Sequence, residues 1–398
     1  MGMLKFKAAQ IFDGHRLWEN KVLITQADGT IEAIVEEAAA GESVRHVEGI
    51  LMPGLVNCHC HLELSHLKEV IAPHTGLIEF LCSVVTKRNF PAELIQEKIK
   101  EAEQEMAQNG IVAVGDIGNT ADTAAVKASS SICWQNFVEV LSFTDEKAAD
   151  AISHYQSALH QLKQSLSNSS LPHRSSLVPH APYSVSPETF RRLNELTQEQ
   201  VISIHNQEHP AENELYQQGG GDYLKLFKIF GMDRSPFPVT GLSSLRSILP
   251  YFDRGQTILL VHNTCSTQEE IEWANEYANK KGIRLQFCLC INANLYIENK
   301  VPPVGMLYRS GSPVVIGTDS YSSNWQLSIA SEIKTLRRHA PEVPLETLLH
   351  WATLQGARAL HWDDKLGSFE KGKKPGLTSL DLEAGTSQRI PLSSASIS

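Results

Sequence analysis

The stretch PGLVNCHCHLELS at residues 53–65 decides the fold, because an apolar, strand-like run within it ends on two histidines, His59 and His61. The run LMPGLVNCH at 51–59 is almost continuously apolar, which is typical of a parallel strand that is buried on both faces. Side chains two residues apart on a strand point to the same face. The stretch therefore predicts a buried strand that presents two imidazole groups at its carboxyl end.

Seven further apolar, β-rich runs follow along the chain, with helical stretches between them. They span residues 110–117, 131–140, 176–183, 201–206, 257–263, 284–291 and 313–319. Strands that alternate with helices indicate βα units, and eight such units indicate a closed barrel. The sequence therefore predicts an α/β fold, namely a (β/α)8 barrel of the TIM type.

Both ends of the chain show a different pattern, with short β-rich segments separated by turn residues such as Asp28-Gly29. The tail contributes one such segment, LTSLDL at 377–382. We predict a small β-sandwich module formed by residues 1–52 together with 365–398, and a barrel formed by residues 53–364. The last dozen residues, rich in serine, are expected to be frayed.

Composition narrows the class of protein. The 398 residues carry a formal net charge of −10 without a clustered basic surface, which argues against a nucleic-acid partner. No apolar run is long enough to span a bilayer, and the opening MGMLKFKAAQ lacks the apolar core of a signal peptide. The seven cysteines form no CxxC pair and are expected to be reduced. These features predict a cytoplasmic enzyme with a small-molecule substrate.

The ends of the later strand-like runs also carry polar groups. His180, His205 and His262 end three of them, and Asp319 ends the last. A single histidine in such a place is often an ordinary packed residue, but catalytic groups of these barrels lie at the carboxyl ends of the strands. Histidines at four strand ends with an aspartate at a fifth therefore indicate a metal site.

Neutral imidazoles with one carboxylate suit Zn²⁺ or Fe²⁺, and Mn²⁺ also accepts these ligands. Three or four protein ligands leave a position open for water, whose pKa the ion lowers to roughly 7. We therefore predict one divalent metal, with Zn²⁺ favoured.

Glu208 lies three residues beyond His205, on the loop over the same end of the predicted barrel. Hydrolysis of a C–N bond moves a proton from water to the leaving nitrogen, and a tuned carboxylate performs this transfer well. The alternative is a glutamate that simply stabilises the start of a helix.

The motifs resemble those of the amidohydrolase superfamily, in the branch of nucleobase and triazine deaminases and chlorohydrolases. The resemblance covers nearly the whole chain, and its matching segments are PGLVNCHCHLELS (53–65), HAPYSVSPE (180–188), HNQEHPAENE (205–214), LLVHNT (259–264), INANLYIENKVPPV (291–304), IGTDSYSSN (316–324) and ATLQGARALHWDDKLGSFEKGKKPGL (352–377).

This resemblance implies a role for each matching residue. The implied metal ligands are His59, His61, His205 and Asp319. It also implies that His262 orients the attacking water or the substrate, that Glu208 moves protons, and that Asp319 takes the proton of the water. His180 corresponds to a substrate-contacting position. No lysine ends the fourth strand-like run, where dinuclear members carry a carboxylated lysine, and this favours a single metal.

Two segments depart from the family pattern. The closing segment reads Lys373-Lys374-Pro375-Gly376-Leu377 and lacks the usual aspartate, and Ile291-Asn292-Ala293 replaces a usual Pro-Arg-Ser. Neither segment holds an implied ligand, so the departures bear on the substrate. The LELSHL run and the chain length are more similar to aminodeoxyfutalosine or adenosine-derivative deaminases than to guanine deaminases.

The leading hypothesis is hydrolytic deamination of an aminated purine-like or other heteroaromatic ring. The alternatives are an amidase, a formimino deiminase or a chlorohydrolase on the same scaffold, and a non-catalytic metal-binding homologue. Candidate substrate-binding residues, each of which packing or surface exposure would explain equally well, are His180, Glu63, His66, Tyr183, Trp134 and Asn324. Dimers are common in the family, so the resemblance also allows a homodimer.

Overall fold

The structure is a computed structural model, and it describes residues 2–392. Seven short strands come first in the chain. They are β1 (Met3–Lys7), β2 (Gln10–Phe12), β3 (Leu17–Trp18), β4 (Lys21–Gln26), β5 (Ile31–Glu36), β6 (Arg45–His46) and β7 (Ile50–Pro53).

Eight strands follow that carry the predicted site. They are β8 (Leu55–Cys60), β9 (Ile111–Gly118), β10 (Cys133–Val140), β11 (His173–Pro179), β12 (Val201–Asn206), β13 (Thr257–His262), β14 (Arg284–Leu289) and β15 (Val314–Ile316). Parallel pairing arranges them in two four-stranded sheets, in the orders β11-β10-β9-β8 and β12-β13-β14-β15. The predicted α/β class with parallel strands is therefore confirmed.

Backbone hydrogen bonds also link the edges of the two parallel sheets. The amide of His205 donates to the carbonyl oxygen of His180 at 3.0 Å, and the amide of Asp319 donates to the carbonyl oxygen of His59 at 3.1 Å. Two of the predicted strands are shorter than expected, since β11 ends at Pro179 and β15 ends at Ile316. His180 and Asp319 therefore lie just beyond their strands, where the backbone is free to turn.

Helices connect the strands and cover the sheets. They are α1 (Leu77–Lys87), α2 (Ala92–Gln108), α3 (Ala124–Ala128), α4 (Ala148–Ser165), α5 (Pro187–Leu196), α6 (Ala211–Gln218), α7 (Tyr223–Ile229), α8 (Ser244–Ile248), α9 (Gln268–Lys281), α10 (Ile291–Glu298), α11 (Val304–Arg309), α12 (Ile329–His339), α13 (Leu345–His350) and α14 (Gly356–Ala359). Thr267 caps the start of α9 and forms a capping box with Glu270.

The tail adds β16 (Leu377–Asp381) and β17 (Thr386–Arg389). Together with the first seven strands they form two sheets, in the orders β5-β4-β1-β6 and β17-β16-β7-β2-β3. Buried apolar side chains from both ends of the chain pack in one cluster, which includes Phe6, Ile11, Leu51, Phe369 and Leu377. The expectation of a frayed last dozen residues is wrong for 387–389, which pair with β16, and residues 393–398 lie outside the described part.

A separate apolar cluster lies over the carboxyl ends of the parallel strands. Helices α1, α6, α7 and α10 contribute to it, through residues such as Leu77, Phe80, Leu215, Phe227 and Ile297. It forms the outer part of the wall around the predicted site. Within residues 2–392, none of the helices combines the length and apolar character that crossing a membrane requires.

Candidate metal centre and active site

The four residues that the sequence predicts as metal ligands converge on one point. His59 and His61 come from the end of β8, His205 comes from β12, and Asp319 comes from the loop after β15. The Nε2 atoms of His59 and His61 are 3.2 Å apart, and Oδ1 of Asp319 lies 3.4 Å and 3.3 Å from them. One donor atom from each of the four residues lies within 4.8 Å of the others.

The protonation of the histidines suits metal binding. Nδ1 of His205 donates to the carbonyl oxygen of His180 at 2.9 Å, which leaves Nε2 with its lone pair toward the cluster. Burial lowers the pKa of His61 to about 3 and that of His205 to about 4. Both imidazoles are therefore neutral at pH 7, which is the form in which histidine binds a metal.

The carboxylate of Asp319 completes the donor set. Burial disfavours its ionisation, but the hydrogen bond with His59 and the electrostatic influence of the neighbouring His61 and His262 outweigh burial and hold its pKa well below the usual range. The hydroxyl of Ser323 donates to Oδ2, so Oδ1 faces the cluster. Three neutral imidazoles with one ionised carboxylate fit a divalent metal of the Zn²⁺ or Fe²⁺ type.

Close backbone contacts hold the loop after β15, which carries Asp319, against the end of β8, which carries His59. The amide of Thr318 donates to the carbonyl oxygen of His59 at 2.9 Å and to Oδ1 of Asn57 at 3.1 Å. Asn57 Nδ2 in turn donates to the Thr318 hydroxyl at 2.8 Å. Gly317 permits this approach, because a Cβ atom there would lie 2.8 Å from Cβ of His59. The contacts between β8 and the loop after β15 thus fix the relative position of His59 and Asp319.

We expect the substitution Gly317→Ala to weaken both the fold and metal binding. The added methyl group would also meet Sγ of Cys290 at 2.9 Å, so the loop must move away from β8, at a cost of about 1–3 kcal/mol. Thermal unfolding with and without added Zn²⁺ measures both effects. Gly220→Ala is a suitable control, since nothing lies within 4 Å of its Cβ position. Equal unfolding temperatures and equal zinc affinities for the two variants would contradict the expectation.

A buried acid–base pair lies beside the predicted metal ligands. Oε1 of Glu208 is 3.5 Å from Nε2 of His262, and both side chains are almost completely buried. Nδ1 of His262 is 3.2 Å from the side-chain Nδ2 of Asn294, which makes Nδ1 the acceptor and leaves the proton on Nε2. Burial and the charges of Asp319 and Glu212 raise the pKa of Glu208 well above its usual range. Glu208 is therefore poised to donate a proton near neutral pH.

The loop that carries Glu208 is held by groups that the sequence did not reveal. Oε1 of Glu212 accepts a hydrogen bond from the amide of Gln207 at 2.9 Å. The Ser266 hydroxyl donates to Oε1 of Gln207 at 2.6 Å, and the amide of Cys265 donates to its carbonyl oxygen at 2.8 Å. Gln207 itself has a φ of 45°, a left-handed conformation that these contacts hold.

A cavity opens directly above the cluster, and its wall is polar near the metal ligands and apolar toward the outside. The polar part consists of His61, Glu63, Arg88, Asn119, Glu139, His180, His205, Glu208, His262, Asp319, Ser320 and Ser322. The apolar part consists of Leu64, Leu77, Phe80, Leu81, Val84, Val85, Leu141, Phe143, Leu226 and Phe230. Tyr183 and Ser184 complete the wall. The cavity therefore suits a ligand with a polar reacting end and an apolar remainder.

Three of the six predicted substrate-binding residues line this cavity, namely Glu63, His180 and Tyr183. Oε2 of Glu63 accepts from the amides of Asn119 and Thr120, and burial raises its pKa. Nδ1 of His180 is 2.6 Å from the hydroxyl of Ser184, so its Nε2 faces the cavity. Glu63 and His180 are therefore each held in place by a neighbouring group.

The other three do not line the cavity, and their predicted contact with substrate needs correction. Nε2 of His66 lies 3.1 Å from the carbonyl oxygen of Arg88, and His66 is not part of the cavity wall. Trp134 is buried at the amino end of β10, whereas the cavity lies at the carboxyl end. Nδ2 of Asn324 donates to the carbonyl oxygen of Thr318 and so supports the loop of the metal ligand from behind.

Glu139 is a cavity residue that the sequence reasoning missed. It lies one residue before the end of β10, and burial raises its pKa to about 8. The strand-end rule that singled out His180 applies equally to this residue, since 131–140 was among the predicted strands. The prediction considered only histidines and the aspartate at strand ends, and so passed over a glutamate.

Comparison with known proteins gives a family and several relatives. A sequence model of the amidohydrolase family matches residues 50–396. An aminodeoxyfutalosine deaminase from a Nitratiruptor species is 26% identical over 368 residues, which is 90% of this chain and 86% of that protein. A 5′-deoxyadenosine deaminase from Methanosphaera stadtmanae is 25% identical over 89% of this chain and 79% of its own length.

Two solved structures extend this comparison. An adenosine deaminase from Xanthomonas campestris with bound zinc has a TM-score of 0.73 at 25% identity, covering 96% of this chain and 85% of that one. The aminofutalosine deaminase of Helicobacter pylori in complex with methylthio-coformycin has a TM-score of 0.78 at 21% identity, covering 94% and 91%. At this lower identity the second likeness establishes the fold alone.

Proposed function

The chain belongs to the amidohydrolase family, and we propose that it hydrolyses the C–N bond of an amino group on a purine-like ring, releasing ammonia. The family match confirms the membership that the motifs predicted. Relatives named as deaminases of adenosine-derived compounds agree with the predicted reaction. The observation that carries the proposal is the buried Glu208–His262 pair beside a cluster of three histidines and Asp319.

The reaction adds water to the ring carbon that bears the amine and then expels the amine. His59, His61, His205 and Asp319 would hold the divalent metal, which lowers the pKa of water and acts as a Lewis acid when bound. Asp319 accepts the proton that the attacking water loses, because its low pKa keeps it ionised.

Glu208 and His262 act on the ring. The raised pKa of Glu208 keeps a proton on its carboxyl, and Glu208 delivers this proton to the ring nitrogen as the water oxygen bonds to carbon. The Nε2–H of His262 donates a hydrogen bond to the oxygen that gains negative charge. The proton held by Asp319 passes to the amino group, the C–N bond breaks and ammonia leaves, while the hydroxyl on the ring carbon returns its proton to Glu208 and becomes a carbonyl.

We propose that the metal is zinc and that one ion is bound. The four donor atoms within 4.8 Å support one ion, and the mixture of imidazole and carboxylate ligands supports zinc. Elemental analysis of the purified protein measures both the identity and the number of ions.

We also propose that the eight parallel strands close into a (β/α)8 barrel. The hydrogen bonds between His205 and His180, and between Asp319 and His59, support closure at both pairs of edges. The shared apolar cluster supports a β-sandwich module, for which we propose residues 1–52 with 365–398, next to a barrel of 53–364.

The cysteines and the net charge of the chain support a proposal for its location and its type of substrate. We propose a cytoplasmic location, which the seven free cysteines support because reduced thiols are typical of that compartment. A net charge of −10 supports a small-molecule substrate rather than nucleic acid. We also propose a homodimer, because the family contains dimers. The molecular mass of the protein in solution measures the oligomeric state.

Ammonia release tests the function. We expect zinc-loaded protein to release ammonia from adenosine-type compounds, because the site joins a proton donor to a metal centre beneath a partly apolar cavity. The panel includes adenosine, adenine, guanine, an aryl amide, a formimino compound and a chlorinated triazine. Hydrolysis of the aryl amide, the formimino compound or the chlorinated triazine, with no ammonia released from adenosine, adenine or guanine, would overturn deamination. That result would indicate one of the other hydrolase reactions.

A further inference from the structure

Glu332 is a fully buried carboxyl group that the proposed reaction does not use. It lies in the first turn of α12, and the wall of the cavity does not include it. Burial raises its pKa to about 8, so the carboxyl is held where its surroundings oppose ionisation. Burying an ionisable group costs stability, and groups of this kind are concentrated at functional sites. Its contacts therefore need an explanation beyond packing.

The first contact of Glu332 leads to the predicted ligand Asp319. Oε1 of Glu332 accepts a hydrogen bond from Nδ2 of Asn324 at 3.0 Å. The same Nδ2 donates to the carbonyl oxygen of Thr318 at 2.8 Å. Thr318 immediately precedes Asp319, and Asn324 is almost completely buried. The carboxyl of Glu332 therefore orients the side chain that supports the backbone of this ligand.

The second contact leads to His262. Oε2 of Glu332 accepts a hydrogen bond from the main-chain amide of Asn292 at 3.1 Å, in the first turn of α10. Two residues farther along α10, Nδ2 of Asn294 donates to Nδ1 of His262 at 3.2 Å. That bond sets the orientation and the tautomer of the His262 ring. Glu332 therefore holds the start of the helix that carries the partner of His262.

The two contacts join parts of the site that act on the same oxygen atom. In the proposed reaction, Asp319 takes the proton of the attacking water and His262 donates to the oxygen that gains negative charge. Their relative position therefore affects the reaction directly, and a displacement of about 1 Å can cost on the order of 100-fold in rate. The loop of Asp319 follows β15 and α10 follows β14, and Glu332 binds to both segments.

We propose that Glu332 is a positioning residue, which fixes Asp319 and His262 relative to each other by bridging Asn324 and the start of α10. This inference rests on the proposed deaminase function and extends it to a residue outside the cavity. Glu332 acts through its neighbours, so its loss is expected to change the rate and the affinity for zinc more than the affinity for substrate.

The variant Glu332→Gln tests the bridge. Each oxygen of a carboxyl group keeps a lone pair whether or not the group is protonated, whereas the amide nitrogen of glutamine has none to offer. Asn324 and the amide of Asn292 both present N–H groups, so glutamine can accept from only one of them. On the compound that the wild type deaminates fastest, we expect kcat to fall by about 10- to 100-fold and KM to change by less than about 3-fold. Competition with a chelator is expected to show zinc affinity about 10-fold weaker.

A matched control and a double-mutant cycle separate positioning from a general effect on the fold. Glu103 is a buried glutamate on α2 that accepts from the hydroxyl of Ser130, which an amide oxygen can also do, so Glu103→Gln is expected to behave as the wild type. Glu332→Gln is also combined with Asn294→Ala and with Asn324→Ala. We expect the losses in kcat to be less than multiplicative for at least one combination, and full multiplication in both would overturn the bridge.

Zinc affinity is measured without turnover, which separates this inference from the proposed function. A wild type that binds zinc but releases no ammonia overturns the function, whereas zinc affinity that depends on Glu332 still supports positioning. Ammonia release by the wild type, with kcat and zinc affinity of Glu332→Gln equal to those of Glu103→Gln, overturns positioning while the function stands. If Glu332→Gln does not fold, Asn324→Ala alone is the test, and unchanged kcat and zinc affinity in that variant overturn the inference.

Discussion

Replacing Glu208 by glutamine is expected to lower kcat by about 10²- to 10⁴-fold, which is the usual contribution of a general acid or base. The amide has nearly the same shape as the carboxyl, but it cannot deliver a proton to the ring nitrogen. The metal ligands do not include Glu208, so zinc content is expected to stay the same. Steady-state kinetics and elemental analysis of the same sample measure the two quantities.

A matched control separates this effect from a change in the helix that follows. Glu214 is exposed on α6, and Glu214→Gln is expected to have wild-type kcat and zinc content. A Glu208→Gln protein that keeps full activity would show that the proton comes from another group. A wild-type protein that holds zinc but hydrolyses no compound of the panel would instead support the non-catalytic alternative.

The sequence predicted the parallel strands well, because strands buried on both faces appear as uninterrupted apolar runs. The predicted run at 201–206 coincides with β12. The runs at 176–183 and 313–319 were too long, since the apolar residues beyond Pro179 and Ile316 belong to turns that pack against the cavity. Hydrophobicity alone does not mark where the backbone leaves a sheet.

The predicted ligands converge because all of them lie at or just beyond the carboxyl ends of parallel strands, which meet at one end of the fold. The same geometry explains the error at Trp134. This residue and Glu139 share β10, but they lie five residues apart, which is about 16 Å along a strand. Only the later of the two reaches the cavity, so position along the strand carries more information than residue type.

Other site contacts could not be inferred from the sequence because they depend on how the loops after β12 and β13 fold. The amide of Gln207 donates to the carboxylate of Glu212, and the hydroxyl of Ser266 donates to the side chain of Gln207. Glu212 lies in the segment HNQEHPAENE, but its spacing does not indicate this contact, and Ser266 lies outside the matching segments. The contact between Ser266 and Gln207 forms only because the fold brings the loops after β12 and β13 side by side.

Removing the metal is expected to abolish turnover and to lower the unfolding temperature. The ion binds the folded chain, in which four donors from three separate segments converge, and not the unfolded chain. At a zinc concentration of 1,000 times Kd this stabilises the fold by about 4 kcal/mol. For a chain of this length the corresponding shift in Tm is about 5 °C, given an unfolding entropy of roughly 2 cal/mol/K per residue.

The variant Asp319→Asn tests whether the metal binds at the four predicted ligands. An amide keeps the hydrogen bond from Ser323 but offers a neutral ligand where the three imidazoles are also neutral, so zinc loses its one anionic partner. We expect the variant to be inactive and its Tm to respond weakly to added zinc, whereas the chelated wild-type protein recovers both activity and Tm when zinc returns. Full activity in a chelated, metal-free wild-type sample would contradict the mechanism, because Asp319 and Glu208 alone would then suffice to move the protons.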